Sequence, residues 1–169
     1  FWLVVAGGYA LYLEEGVSPL GSLGTYATAW EFNGLLFRTL SDVVGGNVAR
    51  IVLLGAFVTA GGVVALSGVP VVLGTFTIVG VFLVTTPTLH PWYALWVLPF
   101  LPFYPARPWI VFTGVVVLSH HVLIGYAGEG VWAESAWVSW VIWSSTALTA
   151  LLVFLSKRKR GTPFSGWPR

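Results

Sequence analysis

From residue 51 to residue 89 the chain carries no formal charge. A helix that crosses the hydrocarbon core of a bilayer needs about 20 predominantly apolar residues, so this stretch alone accommodates two crossings. It offers nothing from which a water-facing surface could be made. The rest of the chain agrees: 57% of its 169 residues are hydrophobic and 8% are charged, against roughly 25% charged in ordinary soluble domains. Backbone amides inside lipid must be satisfied internally, which leaves helices or a closed barrel. The uncharged runs are too long and too uniformly apolar for the alternating ten-residue strands of a barrel. The expected fold class is therefore all-α, a polytopic membrane helical bundle.

Gly, Pro and charge divide the apolar runs into about six transmembrane helices, over residues 1–13, 50–66, 69–86, 91–104, 109–126 and 137–155. "SGVP" at 67–70 is a turn signal, with Pro70 placed to open the helix that follows. A further helix near 25–40, "TYATAWEFNGLLFRTL", has Trp30, Leu35, Leu36 and Phe37 positioned to lie along the membrane interface. Residues 1–155 read as a single transmembrane domain and residues 156–169 as a basic cytoplasmic tail. Phe1 lies inside an apolar run that lacks the basic flank and cleavage site of a signal peptide. The first helix is accordingly expected to be truncated, and the chain to be the C-terminal part of a longer protein.

The charges suggest an orientation. Cytoplasmic loops are enriched in Lys and Arg, and placing "KRKR" at 157–160 in the cytoplasm puts Arg107 there too after alternation through six crossings. All six acidic residues, Glu14, Glu15, Glu31, Asp42, Glu129 and Glu134, then fall on the opposite side, as do the loops 14–49, 87–91 and 127–136. Two basic residues, Arg38 and Arg50, are exceptions. "KRKR" itself reads as a topology signal that touches anionic headgroups. A net charge of +2 arranged in this way does not suggest nucleic acid binding. The absence of cysteine excludes disulfides and thiolate metal sites and leaves the redox compartment open.

Few residues could carry chemistry. His90 sits in "TPTLHPWYALW", at the outer mouth of two spans. Pro87 and Pro91 each remove an amide donor and bias the preceding residue away from the helical region, so the imidazole is expected on a fixed turn, able to meet a phosphate at headgroup depth. Equally, Trp92, Tyr93 and Trp96 could form an aromatic belt, with His90 a wetted interfacial side chain. "WEFN", residues 30–33, sets a carboxylate and an amide beside aromatic rings. That grouping suits sugar hydroxyls and the apolar face of a sugar, or else a solvated charge on an interfacial helix that Asn33 and Gly34 break. His120 and His121 point about 100° apart on a helix and do not make a metal site. They are intramembrane candidates or, with Ser119, packing hydrogen bonds. Glu129, Glu134 and Trp132 lie in a loop that reads as a hinge or lid, or as simply solvated. No phosphate-cradling loop, zincin helix, nucleophile elbow or CxxC motif is present.

In their order along the chain, "TYATAWEFNGLLFRTL", two spans, "TPTLHPWYALWVLPFLPF", a span ending "LSHHVLIGY" and the loop "GVWAESAWVSW" resemble the C-terminal half of bacterial integral-membrane glycosyltransferases of the GT-C superfamily. The nearest group is the polyprenyl-phosphate-mannose-dependent mannosyltransferase-like proteins, related to glycosyltransferase family 87. The resemblance covers nearly the whole chain, and its most specific pieces are "WEFNG" followed at this distance by "TPTLHPWYALW". It implies transfer of a sugar, mannose in the nearest group, from a polyprenyl-phosphate donor to a lipid or glycan acceptor on the extracytoplasmic face of the inner (plasma) membrane. It implies no cofactor and no metal, and inversion at the anomeric carbon. The usual base of such enzymes lies in an outer loop near the N-terminus of the full protein and is expected upstream of this chain. The resemblance gives His90 a place near the donor phosphate, lets Trp92 and Tyr93 shape the cleft at the same height, and makes Trp30, Glu31 and Asn33 candidates for lining the outer cavity. Glu31 as a substitute base departs from the family's usual position. Two other classes fit the composition: a transporter or flippase segment, against which stands the lack of an inverted pair of broken helices, and a noncatalytic membrane scaffold.

Overall fold

The computed structural model describes residues 1–13 and 23–159. Phe1–Trp30 and Glu31–Arg169 form two compact units. The first contains α1 (Trp2–Leu13) and α2 (Leu23–Ala29). The second contains α3 (Leu35–Val44), α4 (Gly46–Leu66), α5 (Val71–Thr85), α6 (Ala94–Val97), α7 (Arg107–Val115), α8 (Val122–Glu129) and α9 (Ala136–Lys159), with 3-10 turns at Pro91–Tyr93, Leu98–Phe100 and Val116–His121. Among the described residues there is no β-strand, and the all-helical bundle expected from composition is what the chain forms.

The count of about six crossings is not supported. Three helices among the described residues are long and apolar enough to cross a membrane: Gly46–Leu66, Arg107–Glu129, in which α7 and α8 continue through a 3-10 turn, and Ala136–Arg158. Such a set is compatible with a multi-pass membrane protein. α5 is apolar but has 15 residues, and α1 has 12. The expected span at 91–104 is broken into 3-10, α and 3-10 turns, because Pro91, Pro99 and Pro102 cannot donate amides to a continuous helix. It also does not run the length of its neighbour. Tyr104, at its far end, stacks on Phe76 of α5, and Phe76 lies nine residues from Thr85, roughly 13 Å along the axis. The chain therefore descends beside about two thirds of α5 before turning into α7.

The polar side chains inside these helices satisfy themselves locally. Thr75, Thr77 and Thr85 of α5 donate their hydroxyls to the carbonyls of Val71, Leu73 and Val81, each at 2.9 Å, and Thr146 and Thr149 of α9 do the same to Ile142 and Ser145, each at 2.8 Å. An unpaired hydroxyl in an apolar medium costs about 1–3 kcal/mol, so this back-bonding lets Thr stand in a span. Large apolar side chains on α4 point outward, Ile51, Leu54 and Val58 among them, with 61–71% of their surface exposed, whereas the buried core lies between α5, α6, α7 and α9 around Leu83, Leu89, Val97, Phe112 and Ile142. A smaller cluster of Phe37, Ala49 and Leu53 joins α3 to α4.

The helix expected near 25–40 is two helices. Residues 30–34 between α2 and α3 are not helical, and Asn33 takes a left-handed backbone at φ 53°. Asn is among the few non-glycine residues that tolerate that region. This break begins the site.

Candidate functional site

Residue 32 is tied by its backbone to the proline-bounded turn that follows α5. The Phe32 amide donates to the Pro87 carbonyl at 3.0 Å, and the Leu89 amide donates to the Phe32 carbonyl at 2.6 Å. Pro87 has no amide to offer, so its carbonyl is what the pairing uses. Within the turn the Thr86 hydroxyl donates to the Thr88 carbonyl at 2.9 Å and accepts the Thr88 amide at 3.2 Å, a local side-chain closure that keeps 86–88 out of the helix. Gly34 is required next to it: a Cβ there would stand 2.6 Å from the Pro87 carbonyl oxygen and 2.8 Å from that of Thr86. The two sequence motifs "WEFNG" and "TPTLH" are thus one structure, docked backbone to backbone.

Asn33 is 1% exposed and is held from the α9 side. Its amide donates to Glu134 Oε1 at 2.5 Å, its side-chain oxygen accepts the Ser139 hydroxyl at 2.9 Å, and its carbonyl accepts Trp143 Nε1 at 3.0 Å. Its Nδ2 is buried without an acceptor among the described residues. The other Glu134 oxygen pairs with the Arg38 guanidinium.

His90 lies against this junction with both ring faces covered. Phe32 stacks on one side at 5.2 Å and Trp92 on the other at 4.3 Å, while Tyr93 meets the ring edge-on at 5.6 Å. Trp132, from the segment joining α8 to α9, backs Phe32 at 5.6 Å. The result is a column of four rings, Trp92, His90, Phe32 and Trp132, whose outer indoles are half exposed and whose imidazole is 8% exposed. Burial pushes His90 below the ordinary histidine value, so the ring is neutral at pH 7 and offers one N–H, not a charge.

Of the residues singled out in the sequence, Glu31, Asn33, His90, Trp92 and Tyr93 all belong to the second unit and gather at this junction. Trp30 belongs to the first unit, where its indole packs against Tyr26 at 5.5 Å. Glu31 remains 55% exposed and accepts a hydrogen bond from Arg50 at 3.0 Å, and Arg50 also lies over the Phe37 ring at 4.7 Å. Exposed ion pairs contribute about 0.2–1 kcal/mol, so Glu31→Gln is expected to leave the apparent melting temperature in detergent essentially where it was. A drop of many degrees would show that the carboxylate is a structural element. His120 and His121 are not part of the junction: His120 Nδ1 bonds the Val117 carbonyl at 3.0 Å, and His121 Nδ1 meets the hydroxyl of Ser135, not of Ser119, at 3.3 Å.

Residue-level reading of the sequence did not single out Arg38, Ser139 or Trp143, and took Glu134 for a loop carboxylate. Glu134, Ser139 and Trp143 each meet residue 33, and Arg38 meets Glu134, across about a hundred positions of chain, beyond the reach of any local pattern. One signal pointed to Arg38. Arg38 and Arg50, the two exceptions to the expected charge arrangement, form ion pairs with Glu134 and Glu31 respectively. Their charge is cancelled where they stand.

Compared with family models, with curated protein sequences and with solved structures, the chain shows no match.

Proposed function

We propose that this chain is part of a membrane glycosyltransferase of the GT-C type, transferring a sugar, mannose in the first instance, from a polyprenyl-phosphate donor to a lipid or glycan acceptor on the extracytoplasmic side. One observation supports this reading above others. The two stretches that carry the resemblance, more than fifty residues apart, meet as one polar and aromatic junction at the end of the bundle where the described acidic loops also lie. Lys157 and Arg158 stand at the other end of α9, about 27 Å along the axis from Ser139. In this reading the junction faces the non-cytoplasmic side and the basic end faces the cytoplasm. Glu14, Glu15, Arg160 and Arg169, which entered the same charge assignment, lie outside the described residues.

His90 then acts as a neutral hydrogen-bond donor to an oxygen of the donor phosphate. As the glycosidic bond to that phosphate breaks, charge accumulates on the departing oxygens, and a donor already aimed at them favours the transition state over the ground state. The ring column fixes the imidazole in orientation, so little reorganisation accompanies the step. Trp92 and Tyr93 shape the surface beside it, and Glu31, held by Arg50, presents a carboxylate for sugar hydroxyls.

The test is transfer of labelled mannose from polyprenyl-phosphate mannose in membranes containing the full-length protein. Transfer above that of membranes lacking the protein is expected, and His90→Ala is expected to lower it at least about tenfold, the loss of a contact of roughly 1.4 kcal/mol. No transfer by correctly inserted protein would overturn the proposal, and unchanged turnover in His90→Ala would remove His90 from the site.

A further inference from the structure

We infer that Glu134 is the positioning residue of this junction: its carboxylate locks residue 33 to the start of α9 and, through Phe32, fixes the imidazole of His90. The inference rests on the proposed function only for the consequence of that positioning, not for the positioning itself. Glu134 spans two partners, the Asn33 amide through one oxygen and Arg38 of α3 through the other. Asn33, in its left-handed conformation at the break before α3, gives its amide to this carboxylate. One residue earlier, Phe32 is bonded through both its amide and its carbonyl to the 87–89 turn, and its ring covers one face of His90. The other side of the Phe32 ring is backed by Trp132, two residues from Glu134 in the same segment, which begins after Gly130 with its left-handed φ of 67°. A single short segment thus holds the backbone of residue 33 and the ring of residue 32.

A plain surface ion pair with Arg38 would use the charge of Glu134 and nothing else. The two roles separate by direction. Removing a negative charge near an imidazole makes protonation harder, which lowers its pKa, whereas loosening the ring column admits water and raises the pKa toward about 6.5. The titratable and charged groups to be held in view are Tyr93 at the ring edge, Glu31 beside Phe32, Arg38 and Glu134 themselves, and His120 and His121 on the 3-10 turn packed against residues 91–93.

The experiment follows the titration of His90 by NMR in the full-length, histidine-labelled protein in nanodiscs, its signal assigned by subtraction with His90→Gln. Glu134→Gln keeps an acceptor for the Asn33 amide, and Arg38→Gln keeps the carboxylate; both are expected to leave the midpoint below the ordinary value. Glu134→Asp keeps the charge but withdraws it by one methylene from the amide, and Glu134→Ala removes the acceptor; both are expected to raise the midpoint. Should the alanine variant not fold, the aspartate and glutamine variants alone decide. A midpoint that moves more in Glu134→Gln than in Glu134→Asp, or that falls in Glu134→Ala, would overturn the inference. No transfer reaction enters this readout, so its failure is distinct from failure of the proposed function. Where transfer is observed, Glu134→Asp is expected to lower kcat with little change in the KM for donor.

Discussion

Gly34→Ala is expected to be among the most damaging single-methyl changes available in this protein. The added Cβ would stand 2.6 Å from the Pro87 carbonyl oxygen, 2.8 Å from the Pro87 carbonyl carbon and 2.8 Å from the Thr86 carbonyl oxygen. These are backbone atoms of a turn closed by its own threonine hydroxyl, so they have no rotamer by which to yield. Residues 32–34 must instead lift away, breaking the Phe32–Pro87 and Leu89–Phe32 hydrogen bonds. Overpacking costs about 1–3 kcal/mol and each buried amide left unpaired about 1–3 kcal/mol more, so a loss on the order of 4 kcal/mol is expected. Gly61→Ala in α4 is the control, since a Cβ there meets nothing within 4 Å and alanine favours a helix interior by about 1 kcal/mol. Apparent melting temperatures in detergent compare the two. A Gly34→Ala protein as stable as Gly61→Ala would mean that the two motifs do not dock.

Asn33→Asp is expected to have an effect of the same order, but a pH-dependent one. Aspartate has nearly the shape of asparagine and tolerates the left-handed backbone, so the change isolates charge. The site is 1% exposed, and the new carboxylate would enter a junction that already holds the carboxylate of Glu134 on the backbone amide of the same residue. A buried charge without a cation costs about 3–5 kcal/mol, and burial raises the carboxyl pKa above its unfolded value of about 3.9. A group whose folded pKa is raised in this way destabilises the protein at neutral pH; the penalty shrinks as pH falls through the folded pKa and is gone below the unfolded one. Stability relative to the parent protein should therefore recover on acidification. A loss equal at pH 7 and pH 4 would show that the effect is not one of charge, and no loss at either pH would mean that Asn33 is open to water.

Much of the bundle was legible because lipid and sequence speak the same language: a long run without charge has few options in hydrocarbon, so the helices now seen as Gly46–Leu66, Arg107–Glu129 and Ala136–Arg158 were each anticipated within a few residues. The failures came where backbone chemistry outranked hydropathy. Residues 91–104 are as apolar as a span, yet three prolines divide them into single turns, and across 25–40 the break at Asn33 and Gly34, open as one of two readings of the sequence, separates two helices. His90, Asn33 and Glu31 could be named from their types and neighbours. What held them could not, because Glu134, Ser139 and Trp143 carry no local mark that distinguishes them from other loop and span residues.

The amino-acid sequence by itself determined the solvent this chain suits, its helical class, and the prolines and glycines at which helices must stop, since each of these follows from a residue and its near neighbours. Only the tertiary structure decided that "WEFNG" and "TPTLH" form one junction, that a carboxylate a hundred residues away bonds it, and that the His90 ring lies between Phe32 and Trp92, where burial lowers its pKa. Those outcomes depend on pairings between distant backbone groups and on the exclusion of water from a ring, and neither exists until the chain has packed.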